Sequence, residues 1–294
     1  MTSKSETITF FGSGPVAAES LKLLAKNFVI EAVVTKPKPD HHRGSFPVID
    51  LASDLKLPIL TVTNKAELSA LFASNPVTSK LGVLIDFGII VTQDVIDYFP
   101  LGIVNSHFSL LPEWRGADPI TFSILSGQKK TGVSLMLLDK GMDTGKIIAQ
   151  KSLAIDPRAT TKSLTHELVE LSDQLLNEHL PNYIGGLIKP RNQSHPDRAT
   201  YSRKLSKDDG IIDWSKTAQQ IEREIRAYID WPKSSTQIAG KEVIITKAHT
   251  AQEASTKELA MKTGKDLLVI DYIKPAGGKE MTSQAFLAGH KHLL

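Results

Sequence analysis

The chain begins with a strand-length apolar run that breaks into a tight turn and then a helix. Residues 7–11 read T-I-T-F-F and Gly12-Ser13-Gly14-Pro15 turn the chain. Val16, Leu21, Leu23 and Leu24 then recur at helical spacing before a second apolar run from Phe28 to Val34. A strand returned to its neighbour through a helix pairs in parallel, so this opening constrains the fold strongly. The alternation continues, with helices near 48–56 and 65–73, a helix from Pro119 to Ser126, and strands at 59–62, 81–86, 101–106, 132–138 and 146–154. Residues 160–180 form one amphipathic pattern carried by Leu164, Leu168, Leu171, Leu175 and Leu176. The expectation is an α/β domain with a mostly parallel sheet covered on both faces.

The pattern changes after Gly185. Pro190, Asn192, Gln193, Ser194, Pro196 and Asp197 alternate with Lys189, Arg191, Arg198 and Arg203, which reads as a polar, basic linker. Beyond it lie one helix at Ala218–Tyr228 and short runs at Ser235–Ile238, Glu242–Ala248 and Asp266–Tyr272, suiting a small β-barrel. The expected division is 1–186, a linker over 187–203, and 204–294. With 294 residues the chain is near the size at which one core splits into two.

Charge follows the same division. Residues 1–186 carry 17 Lys+Arg against 19 Asp+Glu, a net of −2, and 187–294 carry 18 against 13, a net of +5. A basic second part suggests a polyanionic partner, although charge alone favours a plain solvated surface. The absence of cysteine excludes disulfides, thiolate metal sites and a thiol nucleophile. Met1–Thr7 is polar, unlike a signal peptide, and no apolar run is long enough to cross a bilayer. A cytoplasmic monomer without membrane attachment is expected.

Several short matches are set aside. Gly12-Ser13-Gly14 with Ala17 resembles a dinucleotide fingerprint, but Pro15 removes an N–H that a phosphate would use, and no acidic residue clearly ends the second strand. Asp86-Phe87-Gly88 spells a kinase triplet without the rest of that signature. His41-His42 and His166-Glu167 lack further ligands, so no metal is expected.

Two stretches carry chemistry. Asn105 to Ile120 reads N-S-H-F-S-L-L-P-E-W-R-G-A-D-P-I, and Thr131 to Ile148 reads T-G-V-S-L-M-L-L-D-K-G-M-D-T-G-K-I-I. Asn105 and His107 are two apart on a strand and share a face. Asp139 and Asp143 flank Gly141 after another apolar run. An amide, an imidazole and a carboxylate at strand ends are what carbonyl transfer needs: groups to polarise the carbonyl, hold an oxyanion and manage amine protons.

These residues resemble the formyltransferases that use 10-formyltetrahydrofolate, whose superfamily shares the N-x-H-x-S-L-L-P turn and the D-x-G-x-D-T-G string. The fuller S-L-L-P-E-W-R-G-A-D-P-I resembles the branch acting on methionyl-tRNA. The resemblance continues through Lys204-Leu205-Ser206-Lys207, Ile212-Asp213-Trp214, Arg226-Ala227 and Trp231-Pro232. It implies a Rossmann-like formyltransferase domain followed by a barrel of OB-like topology. It implies transfer of a formyl group from 10-formyltetrahydrofolate to the amine of initiator methionyl-tRNA. The alternative within the superfamily is a nucleotide-linked amino sugar as acceptor.

The resemblance also implies roles. Asn105 and His107 donate to the oxyanion, and Asp143 orients His107 and helps take the amine proton. Folate lies near Phe87, Gly88, Ile89, Ser109, Leu110, Leu111, Pro112, Asp139, Gly141 and Met142. Arg43 probes the tRNA acceptor end, and Lys189, Arg191, Arg198, Arg203, Lys204 and Lys207 meet phosphates. The chain departs from the family at Glu113, where a basic residue is usual, at Asp86-Phe87, and in the loop from Lys36 to Pro47, which is short.

Overall fold

The computed structural model describes residues 6–39, 44–238, 240–255 and 258–289. The first half alternates as the sequence requires. It contains β1 (Thr7–Phe11), α1 (Pro15–Asn27), β2 (Val29–Thr35), α2 (Pro47–Asp54), β3 (Ile59–Thr61), α3 (Lys65–Ala73), β4 (Gly82–Leu84) and α4 (Gln93–Tyr98). Next come β5 (Ile103–His107), β6 (Arg115–Gly116), α5 (Pro119–Leu125), β7 (Lys130–Leu137), β8 (Ile147–Ala154) and α6 (Thr161–Ile184). After β9 (Tyr201–Ser202) and α7 (Ala218–Ala227) the chain is mainly strand: β10 (Ser234–Ile238), β11 (Lys241–Ala251), β12 (Leu259–Lys262), β13 (Leu267–Pro275) and β14 (Met281–Thr282), closed by α8 (Ser283–Gly289).

By compactness the chain forms two units. One is Met1–Gly116, Thr131–Leu153 and Thr165–Tyr201; the other is Ala117–Lys130, Ala154–Leu164 and Ser202–Leu294. The first holds a seven-stranded sheet of order β3-β2-β1-β4-β5-β7-β8. The first five strands are parallel, and β7 runs antiparallel to β5, pairing Val104 with Leu137 and His107 with Ser134. From Ile8 to Phe11 β1 is buried on both faces, and the one polar side chain there, Thr9, bonds its hydroxyl to that of Ser79 at 2.6 Å. Pro15 opens α1, where its missing N–H is one the helix leaves unpaired anyway. Asn64 caps α3 by accepting from the Ala66 and Glu67 N–H groups at 2.9 and 3.1 Å. One face of the sheet packs an aromatic cluster in which Phe11 stacks on Phe72 at 5.7 Å and meets Phe87 edge-on at 5.6 Å.

The second unit is a curled antiparallel half-barrel of order β10-β11-β13-β12, with β14 on β13. Helix α7 begins with a reciprocal Thr217–Gln220 capping box and buries Ile221 and Ile225 in the core with Phe286 of α8. Three elements of this unit, β12, β14 and α8, are additional to those read from the sequence. The strand expected at 81–86 is limited to Gly82–Leu84, because the chain turns at Asp86, where φ is +49°. Helix α6 runs on through Pro181 to Ile184.

Candidate active site

The strand β5 is buried along its length and brings Asn105 and His107 to one face, with 8% and 5% exposure. The register places Met136 and Ser134 of β7 opposite them. Because β7 runs antiparallel, its carboxyl end lies beside Val104 rather than beside His107. The 138–146 connection therefore has to carry Asp143 back to the pair. Asp143 Oδ1 lies 3.5 Å from Asn105 Nδ2, and Oδ2 lies 3.8 Å from His107 Nδ1. Both separations sit at or beyond the edge of hydrogen bonding, so Asp143 lies beside both groups without closing a short hydrogen bond to either.

The protein fixes Asp143 and His107 through separate partners. Gly116 N–H donates to Asp143 Oδ2 at 2.7 Å. Asp143 holds a left-handed backbone (φ +52°), and its carbonyl accepts from Gln193 Nε2 at 2.7 Å. Gln193 also donates to the Gly145 carbonyl at 3.0 Å, while its Oε1 accepts from buried Arg115 Nη2 at 2.8 Å. Gly145 is a point of close approach, since a β-carbon there would lie 1.7 Å from the Leu137 carbonyl oxygen. His107 Nε2 is 2.9 Å from the Trp114 carbonyl. A carbonyl only accepts, so the proton sits on Nε2, and Nδ1 is the ring edge turned to Asp143.

The S-L-L-P turn is built around buried Ser134. Its hydroxyl donates to the Ser109 carbonyl at 2.6 Å and accepts from the Leu111 N–H at 3.0 Å and from Gln150 Nε2 at 2.8 Å. Ser109 Oγ donates to the Glu113 carbonyl, and the Leu111–Pro112 bond is cis. Leu111 packs with Met136 and Ile147, whereas Leu110 is half-buried. Asp139 is exposed and Oδ1 accepts from the Gly141 N–H at 3.0 Å and from Thr144 Oγ1 at 2.7 Å, leaving Met142 59% exposed beside the turn. Gly88 is exposed with φ +66°, and Ile89 is half-buried. Phe87 differs from the other folate candidates. The residue belongs to the aromatic core at 1% exposure.

The turn after β1 is filled by the protein itself. The Asp86 carbonyl accepts from Ser13 N–H at 2.9 Å and Gly14 N–H at 3.4 Å, and a β-carbon on Gly14 would lie 1.9 Å from Asp86 Oδ2. An acidic side chain thus stands at the start of α1, where a dinucleotide would place phosphate. His166 is an exposed ion-pair partner, with Nδ1 2.8 Å from Glu19 Oε1, and this hydrogen bond together with Glu170 holds its pKa up.

Lys189, Arg191, Arg198, Arg203, Lys204 and Lys207 are all exposed. The backbone of Arg191 is bridged to Ile147 in both directions, at 2.9 and 2.8 Å. The Arg203 guanidinium is bound to Asp209 through both terminal nitrogens, which holds the Asp209 carboxyl far below its usual range. Arg43 lies outside the described residues. Among the described residues, no group of three or more His, Asp or Glu is placed to hold a metal, and no helix is long and apolar enough to cross a membrane.

Sequence reasoning missed Gln193, Arg115, Ser134 and the Trp114 carbonyl. Gln193 sat unmarked in a polar stretch, and only its burial (8%) distinguishes it.

Comparison with known proteins adds a second line. Residues 16–180 match the formyl transferase family model, and 204–291 match the formyl transferase C-terminal domain. A methionyl-tRNA formyltransferase of Roseiflexus castenholzii is 36% identical, covering 96% of this chain and 95% of the relative. That of Chloroflexus aurantiacus is 37% identical, covering 96% of each. Among solved structures, an N-formyltransferase of Helicobacter canadensis in complex with folinic acid and dTDP-3-aminofucose is 20% identical. It has a TM-score of 0.70 and covers 94% of this chain and 100% of that one. HypX of Aquifex aeolicus in complex with tetrahydrofolic acid is 17% identical, with a TM-score of 0.64, covering 97% of this chain and 47% of that one.

Proposed function

From the premise that the chain belongs to the formyl transferase family, we propose that it moves the formyl group of 10-formyltetrahydrofolate to the α-amine of methionine on initiator tRNA, for translation initiation. The observation that supports this most directly is the approach of Asp143 to both Asn105 and His107, at 3.5 and 3.8 Å.

The amine nitrogen attacks the formyl carbon, which becomes tetrahedral with a negative oxygen. Asn105 Nδ2 donates to that oxygen. His107 donates through Nδ1 in its doubly protonated form, since Nε2–H is engaged by the Trp114 carbonyl. Asp143 offsets the imidazolium charge and accepts the proton released by the amine. Collapse breaks the bond to N10, which leaves with the proton that Asp143 took from the amine, returning Asp143 to its carboxylate. These separations are expected to shorten around the reacting group.

Folate is proposed to lie against Gly88, Ile89, the backbone of Phe87, and the turns Ser109–Pro112 and Asp139–Met142. Residues 1–186 are proposed to carry the chemistry. The basic stretch 187–203 and residues 204–294 are proposed to hold the tRNA, with Lys189, Arg191, Arg198, Lys204 and Lys207 as phosphate contacts. Arg203 is a weaker candidate because Asp209 already occupies its guanidinium. The enzyme is proposed to act as a cytoplasmic monomer.

A single-turnover assay with 10-formyltetrahydrofolate and methionyl initiator tRNA tests this. Transfer by the wild type and its loss in folded Asp143→Ala are expected. Wild-type turnover in that variant would overturn the assignment of Asp143.

A further inference from the structure

The half-barrel carries an open cavity of about 230 Å³ at the end of α7, between β10, β11 and β13. Its lining includes Tyr228, Lys233, Ser234, Thr246, Lys274 and Glu280. That volume suits a single small group with a few waters, and falls short of a drug-sized ligand.

Three features of this cavity are unusual together. Ser234 is 2% exposed, yet its hydroxyl has no hydrogen-bond partner among the described residues, and the same holds for the buried hydroxyl of Thr246. Buried hydroxyls without partners are uncommon and costly, so two lining one cavity invite a polar occupant. Thr246 sits where the β11–β13 register slips between Ile245 and Lys247, so a local bulge frees it from regular pairing. Second, the exposed Lys233 and Lys274 have ammonium groups with no ion-pair or hydrogen-bond partner among the described residues, Glu280 included. Third, Lys233 is held in the left-handed region at φ +75°, with its N–H bonded to the Tyr228 carbonyl at 2.9 Å. A lysine fixed in a disfavoured conformation beside a polar cavity fits the clustering of strain at ligand sites.

Two lysines against one glutamate leave the rim net positive. Hydroxyl-bearing and ammonium-bearing residues lining one small space suit a tetrahedral oxyanion. We infer that this cavity binds a phosphate group, supplied either by the backbone of an RNA partner or by free phosphate. The Ser234 and Thr246 hydroxyls donate from within, and Lys233 and Lys274 close over the remaining oxygens. The proposal concerns residues remote in sequence from Asn105, His107 and Asp143, and it stands whether or not the formyl acceptor is methionyl-tRNA.

The test uses the full chain and inorganic phosphate, with chloride at matched ionic strength as control. Phosphate is titrated by calorimetry into wild type, Lys233→Ala/Lys274→Ala and Ser234→Ala, each checked for folding by its melt. The double variant is expected to weaken phosphate binding at least about tenfold. Ser234→Ala removes a hydroxyl without changing charge, so weaker binding there separates a built site from diffuse attraction. A second arm measures initiator tRNA affinity against salt. If the double variant lowers the salt slope by about 1–2, the phosphate comes from RNA; an unchanged slope with lost phosphate binding assigns the site to free phosphate. Unchanged phosphate and RNA binding in both variants overturns the proposal. Formyl transfer is read on the same variants and is expected to persist with saturating substrate.

Discussion

Asp143 and Ser234 both place polar side chains in protein surroundings, and they differ in how much of the chain holds them. Asp143 is fixed by the Gly116 N–H, by Gln193 on its carbonyl and by its own left-handed backbone. Ser234 Oγ is buried and has no hydrogen-bond partner among the described residues. The first arrangement spends its hydrogen-bonding capacity before a ligand arrives, which fits a site that must stabilise a transition state with little reorganisation. The second keeps its capacity open, which fits a site that only has to hold a group.

The contrast breaks most decisively at the rigid side. Asn105→Ala and Asp143→Ala should each lower kcat about 10²–10³-fold, or roughly 3–4 kcal/mol, with melts near wild type; single-turnover rates measure this. Gln193→Ala comes next. It deletes bonds to the Asp143 and Gly145 carbonyls and one from buried Arg115. A loss of about 1–3 kcal/mol of stability is expected, together with a fall in kcat that exceeds any change in KM. A variant with normal stability and reduced KM would show that Asp143 does not depend on this anchor.

Much of this was legible from residue order. The alternation from Thr7 to Ala154 dictated the parallel sheet, and the spacing of Asn105 and His107 dictated a shared face. Gln193 was hidden because its three bonds join backbone carbonyls and an arginine 48–78 residues away, and backbone partners leave no mark in side-chain chemistry. The grouping of Ala117–Lys130 and Ala154–Leu164 with the C-terminal residues was hidden for a similar reason. It depends on packing between distant segments, while local pattern records only each helix or strand. The antiparallel course of β7 was equally invisible, since an apolar run has the same periodicity in either direction.

Smaller effects sharpen the comparison on the basic surface. Replacing Lys189, Arg191 and Arg198 by alanine should weaken tRNA binding and reduce its salt slope by about 1 per lost phosphate contact. Arg203→Ala should change the slope less, because Asp209 occupies its guanidinium. Equal slopes for Arg203 and Lys189 variants would show that the ion pair opens on binding. The smallest effect concerns pH. The folded-state pKa of Asp209 is depressed by Arg203 and by the Ser206 backbone N–H. Its contribution to stability is present above the ordinary carboxylate range and is lost as pH falls through the folded value. Acid melts of wild type and Asp209→Asn should therefore converge as pH drops, and a constant gap would remove this carboxylate from the acid response.

The contact at Gly145 reaches beyond that residue. With the Leu137 carbonyl packed where any side chain would begin, the stretch from 138 to 146 acts as a strut of set length, pinned at its far end. Lengthening or shortening it by one residue would slide the carboxylate past its neighbours while leaving the sheet intact. Natural variants should tolerate exchanges of surface chemistry at Lys140 or Met142 far more readily than any insertion or deletion between them.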